Sequence, residues 1–135
     1  MLHATNGYAS HLLPHLAGPA GIVPTRNQVI AVRAAVPTSN LTRFGWVANF
    51  GNEYWFPRPL AEGESEDTPP LVVLGGFRVI VPGMEMYTVD DASVNPVISE
   101  ALRGFLPTVF PGKYEVGKEP EMEWVSWARC VRTRT

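Results

Sequence analysis

The chain has 135 residues and a formal net charge of −2, with both signs dispersed along it. That length fits one domain at most, and the charge pattern lacks the basic stripe that a nucleic-acid partner requires. A single cysteine, Cys130, rules out an internal disulfide framework, while 13 prolines and 12 glycines favour short elements and many turns over a helix bundle.

No charged-then-apolar leader and no apolar run of membrane length is visible, so a soluble, cytoplasmic protein without a membrane partner is expected. Leu2-His3-Ala4-Thr5-Asn6-Gly7 reads as a strand end running into a turn, which suggests that the fold does not begin at Met1. Leu12, Leu13 and Leu16 repeat at helical spacing within residues 8–16, and Pro14 limits that helix. Val29-Ile30-Ala31-Val32-Arg33-Ala34 is β-branched and reads as a strand. Phe44-Gly45-Trp46-Val47-Ala48-Asn49 follows as another, and Phe50-Gly51-Asn52 turns it back.

The stretch 53–80 organises the rest. Its first arm, Glu53-Tyr54-Trp55-Phe56-Pro57-Arg58-Pro59, is dense in aromatics that favour a pleated surface. Residues 60–70 carry Glu62, Glu64, Glu66 and Asp67 among Gly, Ser and Pro, a composition expected to stay mobile. The second arm, Leu71-Val72-Val73-Leu74-Gly75-Gly76, is an apolar run ending on a glycine pair, which marks close approach by another backbone or by a ligand. These arms and the two preceding strands predict a four-stranded antiparallel meander.

One longer helix follows. Val94, Val97, Ile98, Ala101, Leu102, Phe105 and Leu106 fall on one helical face. Asn95 can cap it, Pro96 suits its first position, and Pro107 and Gly112 bracket its exit. Residues 114–122 alternate loosely and are expected to return as an edge strand. The fold class predicted is α+β: an antiparallel sheet with one or two packed helices.

Few residues point to chemistry by themselves. His11 and His15 have a spacing that can place two imidazoles on one helix face, but no third ligand is near in sequence, and surface histidines are the simpler reading. Asp90 and Asp91 precede a helix start, where acidic charge is favourable without any catalytic role. Trp46, Tyr54 and Trp55 can stack on a planar ligand, although aromatics in a meander usually form core. Arg58, at a strand end, can pair a substrate carboxylate; a surface ion pair is an equal reading. No Gly-x-Gly-x-x-Gly fingerprint, nucleophile elbow, P-loop or zinc pattern occurs.

Six segments in order do resemble a known family. They are His3-Ala4-Thr5-Asn6-Gly7-Tyr8 with Ser10-His11-Leu12-Leu13-Pro14, Ile22-Val23-Pro24-Thr25-Arg26-Asn27-Gln28-Val29, the Glu53–Pro59 arm, Leu74-Gly75-Gly76, and Asp90-Asp91-Ala92-Ser93-Val94-Asn95-Pro96. Together they resemble the middle-to-late part of FAD-dependent oxidoreductases of the D-amino-acid oxidase type, which include glycine and sarcosine oxidases. The resemblance covers residues 1–124 and implies a fragment of a two-domain flavoprotein, mainly its substrate-binding sheet and the following helix. It implies FAD as cofactor and a small amine or amino acid as substrate, with hydride passing from the amine-bearing carbon to the flavin and oxygen reoxidising it. It also implies that Ala4, Thr5 and Asn6 approach the cofactor, and that Arg26, Gln28, Tyr54 and Arg58 lie on the substrate side.

Two departures stand out. The glycine fingerprint of the family is missing, and so is its C-terminal flavin motif, so catalysis by this chain alone is not expected. Residues 125–135 read as an aberrant tail: after Trp124, a one-base shift of reading frame regenerates Gly-Ile-Met-Gly with suitable codons, close to what the family carries. The alternative is a small non-catalytic β-rich module that binds a partner.

Overall fold

A computed structural model of the chain describes residues 8–18 and 21–127, the last two as backbone only. Ala4, Thr5 and Asn6, and most of the 125–135 tail, lie outside the described residues. The fold is α+β. Five strands, β1 (Arg26–Arg33), β2 (Trp46–Ala48), β3 (Glu53–Pro57), β4 (Leu71–Gly76) and β5 (Met122–Trp127), form one antiparallel sheet. The elements are completed by a one-turn helix α1 (Ala9–Leu12) and the long helix α2 (Pro96–Val109).

The strand order is β2-β3-β4-β1-β5. β2, β3 and β4 do form a meander, but β1 pairs with β4 and β5 instead of preceding β2 in it. The reason lies in burial: β1 is shut in on both faces over Arg26–Ile30, and only a central strand offers that environment. It also begins earlier than its β-branched residues suggest, because Arg26, Asn27 and Gln28 are all buried with partners.

Strand alternation divides the sheet into two faces. On the first, Ile30, Trp55, Val72 and Leu74 pack with Ile98, Leu102 and Leu106 of α2 in one core. Trp55 meets Phe105 edge-on at 5.3 Å between ring centroids and stacks with Trp46 at 6.3 Å. Ile30, Leu74, Ile98, Leu102 and Leu106 are at most 1% exposed, and burying each such side chain contributes about 1.5–3 kcal/mol.

α2 begins as its sequence dictates. Asn95 Oδ1 accepts the Val97 N–H at 3.0 Å, and Pro96 occupies the first helical position. The buried face differs from the expected stripe, however. Val94 and Val97 are exposed, whereas Ser99 is buried because its hydroxyl accepts from Gln28 Nε2 at 2.7 Å. The helix also continues past Pro107 to Val109; Leu106, in the core, holds that last turn against the sheet.

Residues 114–121 form turns, not a strand. Gly117 adopts φ +75° there; the Glu121 N–H reaches Ala31 O at 2.9 Å, and the paired strand begins at Met122. β5 then runs through Val125 to Trp127 against β1. In the acidic stretch 60–70 the backbone is tied by turns, Glu64 N–H to Ala61 O and Thr68 N–H to Ser65 O, both at 3.0 Å.

Candidate functional site

The second face of the sheet carries Asn27, Val29, Ala31 and Arg33 from β1, Tyr54 and Phe56 from β3, and Leu71, Val73 and Gly75 from β4. Val29 and Ala31 are buried, but Phe56 and, from β5, Met122 and Trp124 are exposed. This face therefore has a closed centre with apolar surface to either side.

At one end of it, Tyr54 lies directly opposite Gly75. A Cβ at Gly75 would fall 2.5 Å from the Tyr54 hydroxyl oxygen and 2.6 Å from Cζ, so the phenol ring occupies the space that a side chain would fill. Laid across β4 in this way, the ring reaches β1, where Asn27 Nδ2 donates to Tyr54 Oη at 3.1 Å. Burial raises the Tyr54 phenol above its ordinary value, and the Asn27 bond opposes that shift only in part. The hydroxyl thus stays protonated around neutral pH; with Asn27 as donor, its own hydrogen is left to donate outward.

The second glycine serves another purpose. A Cβ at Gly76 would lie 1.9 Å from Asn52 O, and the residue holds φ at +126°. The close approach marked by the glycine pair is therefore internal, by the Tyr54 ring and by the backbone of the β2–β3 turn. That turn is itself unusual: Asn49 and Phe50 adopt φ +47° and +57°. It also holds Glu53, a buried carboxylate that accepts from Asn49 Nδ2 at 2.5 Å.

Arg58 stands at the other end of the same face. Its N–H bonds Leu71 O at 2.7 Å, and Leu71 pairs with Arg33, so Arg58, Leu71 and Arg33 make one row across three strands. Four residues of strand separate Tyr54 from Arg58, about 13 Å. The Arg58 guanidinium meets Glu64 of the acidic loop: Nη2 donates to both carboxylate oxygens, at 2.6 and 2.7 Å. The Ala61 N–H also donates to Glu64, at 2.7 Å. These bonds, Ala61 first and then Arg58, with the charges of Arg58 and Arg33, hold the Glu64 carboxyl below its usual range.

Arg26 and Gln28 sit elsewhere, on the first face, in a continuous polar network at the start of α2. Arg26 pairs with Glu85 and donates to Ser93 O at 2.9 Å and Asp90 O at 3.2 Å. Glu85 in turn accepts from Asn95 Nδ2 at 2.8 Å. Gln28 accepts the Asn95 N–H at 2.9 Å and donates to Ser99 Oγ and Glu123 Oε1, both at 2.7 Å. Both hydrogens of Gln28 Nε2 and one lone pair of its Oε1 are thereby engaged within the fold, and the network binds the 78–93 connection to β1 and to the helix cap. The structure brings Tyr54 and Arg58 onto one face and places Arg26 and Gln28 behind it.

Asp90 accepts from the Ser93 hydroxyl and from the Ala92 N–H at 2.9 Å, and these two bonds lead the causes that lower its carboxyl. Asp91 accepts from the Tyr8 hydroxyl at 2.9 Å. His11 and His15 are exposed, and among the described residues no three His, Cys, Asp or Glu side chains gather as a metal-binding group. Among the same residues no helix is long and apolar enough to cross a membrane.

The described residues do not form a cradle for FAD. Gly75 and Gly76, the positions where a flavin edge could come close, are filled by Tyr54 and Asn52. The N-terminus of α2, where a pyrophosphate would seek backbone donors, already gives its Asn95 N–H to Gln28 and its Val97 N–H to Asn95. A recess of about 350 Å³ lies along α2 beside Glu100, Arg103, Pro107 and Lys118, and neither Tyr54 nor Arg58 lines it.

Asn27, Arg33 and Glu64 are the members of this face that motif reading passes over. Strand parity gives a signal for the first two, since Asn27 and Arg33 alternate with the buried Val29 and Ala31. No protein-family model matches the chain, and neither does any curated protein or solved structure with which it was compared.

Proposed function

We propose that the chain is the substrate-facing sheet of an FAD-dependent amine or amino-acid oxidase and is not catalytic by itself. On this reading the second face of the sheet is the wall against which a small amine or amino acid lies. Tyr54 supplies a neutral hydroxyl donor at one end, and Arg58 a cation for a carboxylate at the other. The observation that carries the reading is the seating of Tyr54 on Gly75 with Asn27 behind it. A phenol placed so is held at one orientation by packing and one hydrogen bond, which is what positioning a small ligand requires. Because the described residues form no FAD cradle, no redox step is assigned to them. A flavin would carry the electron chemistry, and this face would orient the substrate and exclude water.

A second reading, a non-catalytic binding module, draws on the α2 N-terminus being already occupied by Gln28 and Asn95. One titration separates the two. ¹⁵N-labelled chain is titrated with glycine, sarcosine and D-alanine, with and without added FAD. The oxidase reading expects saturable shifts at the Gly75 amide, the Asn27 side-chain amide and Arg58 Nε–H, the first two lost in the Tyr54→Phe/Arg58→Gln variant. Silence at Gly75 and Asn27 under every condition overturns it.

A further inference from the structure

We infer that Glu64 is an internal stand-in ligand: its carboxylate occupies Arg58 and must be displaced before an external carboxylate can bind there. The inference rests on the reading of the second face as a substrate wall, and adds a gate to it.

The geometry of the pair is the argument. One Arg58 nitrogen, Nη2, contacts both Glu64 oxygens, at 2.6 and 2.7 Å, while Nε and Nη1 make no hydrogen bond among the described residues. The side-on arrangement, with two parallel N–H···O bonds from the fork, is the stronger way for a guanidinium to hold a carboxylate, and here it is left unused. An incoming carboxylate can therefore make a better contact than the one it replaces. The pair of Glu64 with Arg58 is weak enough to exchange, the Arg58 and Glu64 side chains being 40% and 32% exposed, and the Ala61 N–H bond at 2.7 Å sits in the same exposed turn, where water can replace it.

The neighbours keep the seat in place when Glu64 moves. Arg33, in the same row, has each of its three nitrogens engaged: Nε and Nη2 donate to Glu121 at 2.5 and 2.9 Å, and Nη1 to Pro69 O at 3.0 Å. It contributes positive charge without competing for the ligand. Glu64 is carried on the turn closed by Ala61 and Glu64, in the loop between β3 and β4, so releasing it requires no strand to break. The chemical class selected is a small carboxylate, and the exposed Phe56 on the same face offers apolar surface to its body. No bond is made or broken in the exchange.

The test uses acetate and benzoate, followed through the Arg58 Nε–H resonance and, in every variant including Arg58→Gln, through the backbone amide of Leu71, whose carbonyl accepts the Arg58 N–H. Removing the internal competitor by Glu64→Gln is expected to tighten carboxylate binding about two- to five-fold, the range set by an exposed ion pair. Glu64→Asp keeps the charge but shortens the reach, and is expected to behave like Glu64→Gln. An affinity unchanged in Glu64→Gln overturns the proposal. So does Glu64→Asp behaving as the parent chain, since bulk charge alone would then explain the gain, or a gain that survives Arg58→Gln. Failure of the oxidase reading looks different: amines leave Gly75 and Asn27 silent, whatever carboxylates do at Arg58.

Discussion

Replacing Gly75 and Gly76 one at a time with alanine separates the two kinds of crowding at the end of β4. At Gly76 the new Cβ would lie 1.9 Å from Asn52 O and 2.8 Å from Glu53 Cα, at a φ of +126°. Backbone cannot rotate aside, so the β2–β3 turn and the β3–β4 pairing must both shift. Left-handed strain of about 1–3 kcal/mol and overpacking of about 1–3 kcal/mol together predict a loss of about 2–6 kcal/mol. At Gly75 the obstacle is the far end of Tyr54, 2.5 Å away at Oη, which can swing out. That forfeits the Asn27 hydrogen bond, about 1 kcal/mol, and is offset by about 0.4–1 kcal/mol from a stiffer unfolded chain, so the net loss should stay below about 1 kcal/mol. Urea denaturation followed by tryptophan fluorescence measures both losses. In Gly75→Ala the Tyr54 ring resonances should also titrate closer to a free phenol, since burial is what raises them. Equal losses in the two variants, or a Tyr54 titration unmoved in Gly75→Ala, would refute the reasoning.

The Tyr114 phenol is pushed up to about 12 by burial, against about 10 unfolded. The stability that the neutral Tyr114 phenol contributes is therefore intact below pH about 10 and is lost, by at most about 2–3 kcal/mol, as pH climbs through the folded value; Tyr114→Phe should flatten that alkaline limb of the denaturation midpoints. Arg26→Ala leaves Glu85, 9% exposed in its pair with Arg26, without its counter-charge and should cost about 3–5 kcal/mol. Adding Glu85→Gln should recover part of that loss, and a single-variant loss below about 1 kcal/mol would contradict the pairing's role. Asn95→Ala removes the α2 cap and should lower stability by about 0.5–2 kcal/mol, read as a fall in the thermal midpoint by circular dichroism.

Local signals in the sequence were good where backbone chemistry is local. Asn95-Pro96 starts α2 because capping and the missing proline N–H act within one turn. The arms 53–57 and 71–76 are strands as their aromatic and β-branched content suggests. What sequence spacing does not carry is partner choice. Nothing in Val29-Ile30-Ala31-Val32 says that β1 joins β4 instead of β2; that follows from burial on both faces, a property of the assembled sheet. The same holds for Ser99, which takes a buried place from Val97 because Gln28, 71 positions away, needs an acceptor.

The candidate site shows the same division. Tyr54 and Arg58 share a face because they are an even number of residues apart in an extended arm, so parity alone places them together. Arg26 and Gln28, which only the family resemblance puts on the substrate side, are buried and bonded within the fold: Arg26 finds Glu85, Asp90 and Ser93, and Gln28 finds Asn95, Ser99 and Glu123. A buried polar group so fully bonded costs stability when removed and has little left to offer a ligand. Tyr54 and Arg58 differ from them on that count. One keeps a hydroxyl hydrogen and the other two guanidinium nitrogens outside the fold's own bonding, and unspent hydrogen-bonding capacity on an accessible face is what a small polar ligand can use.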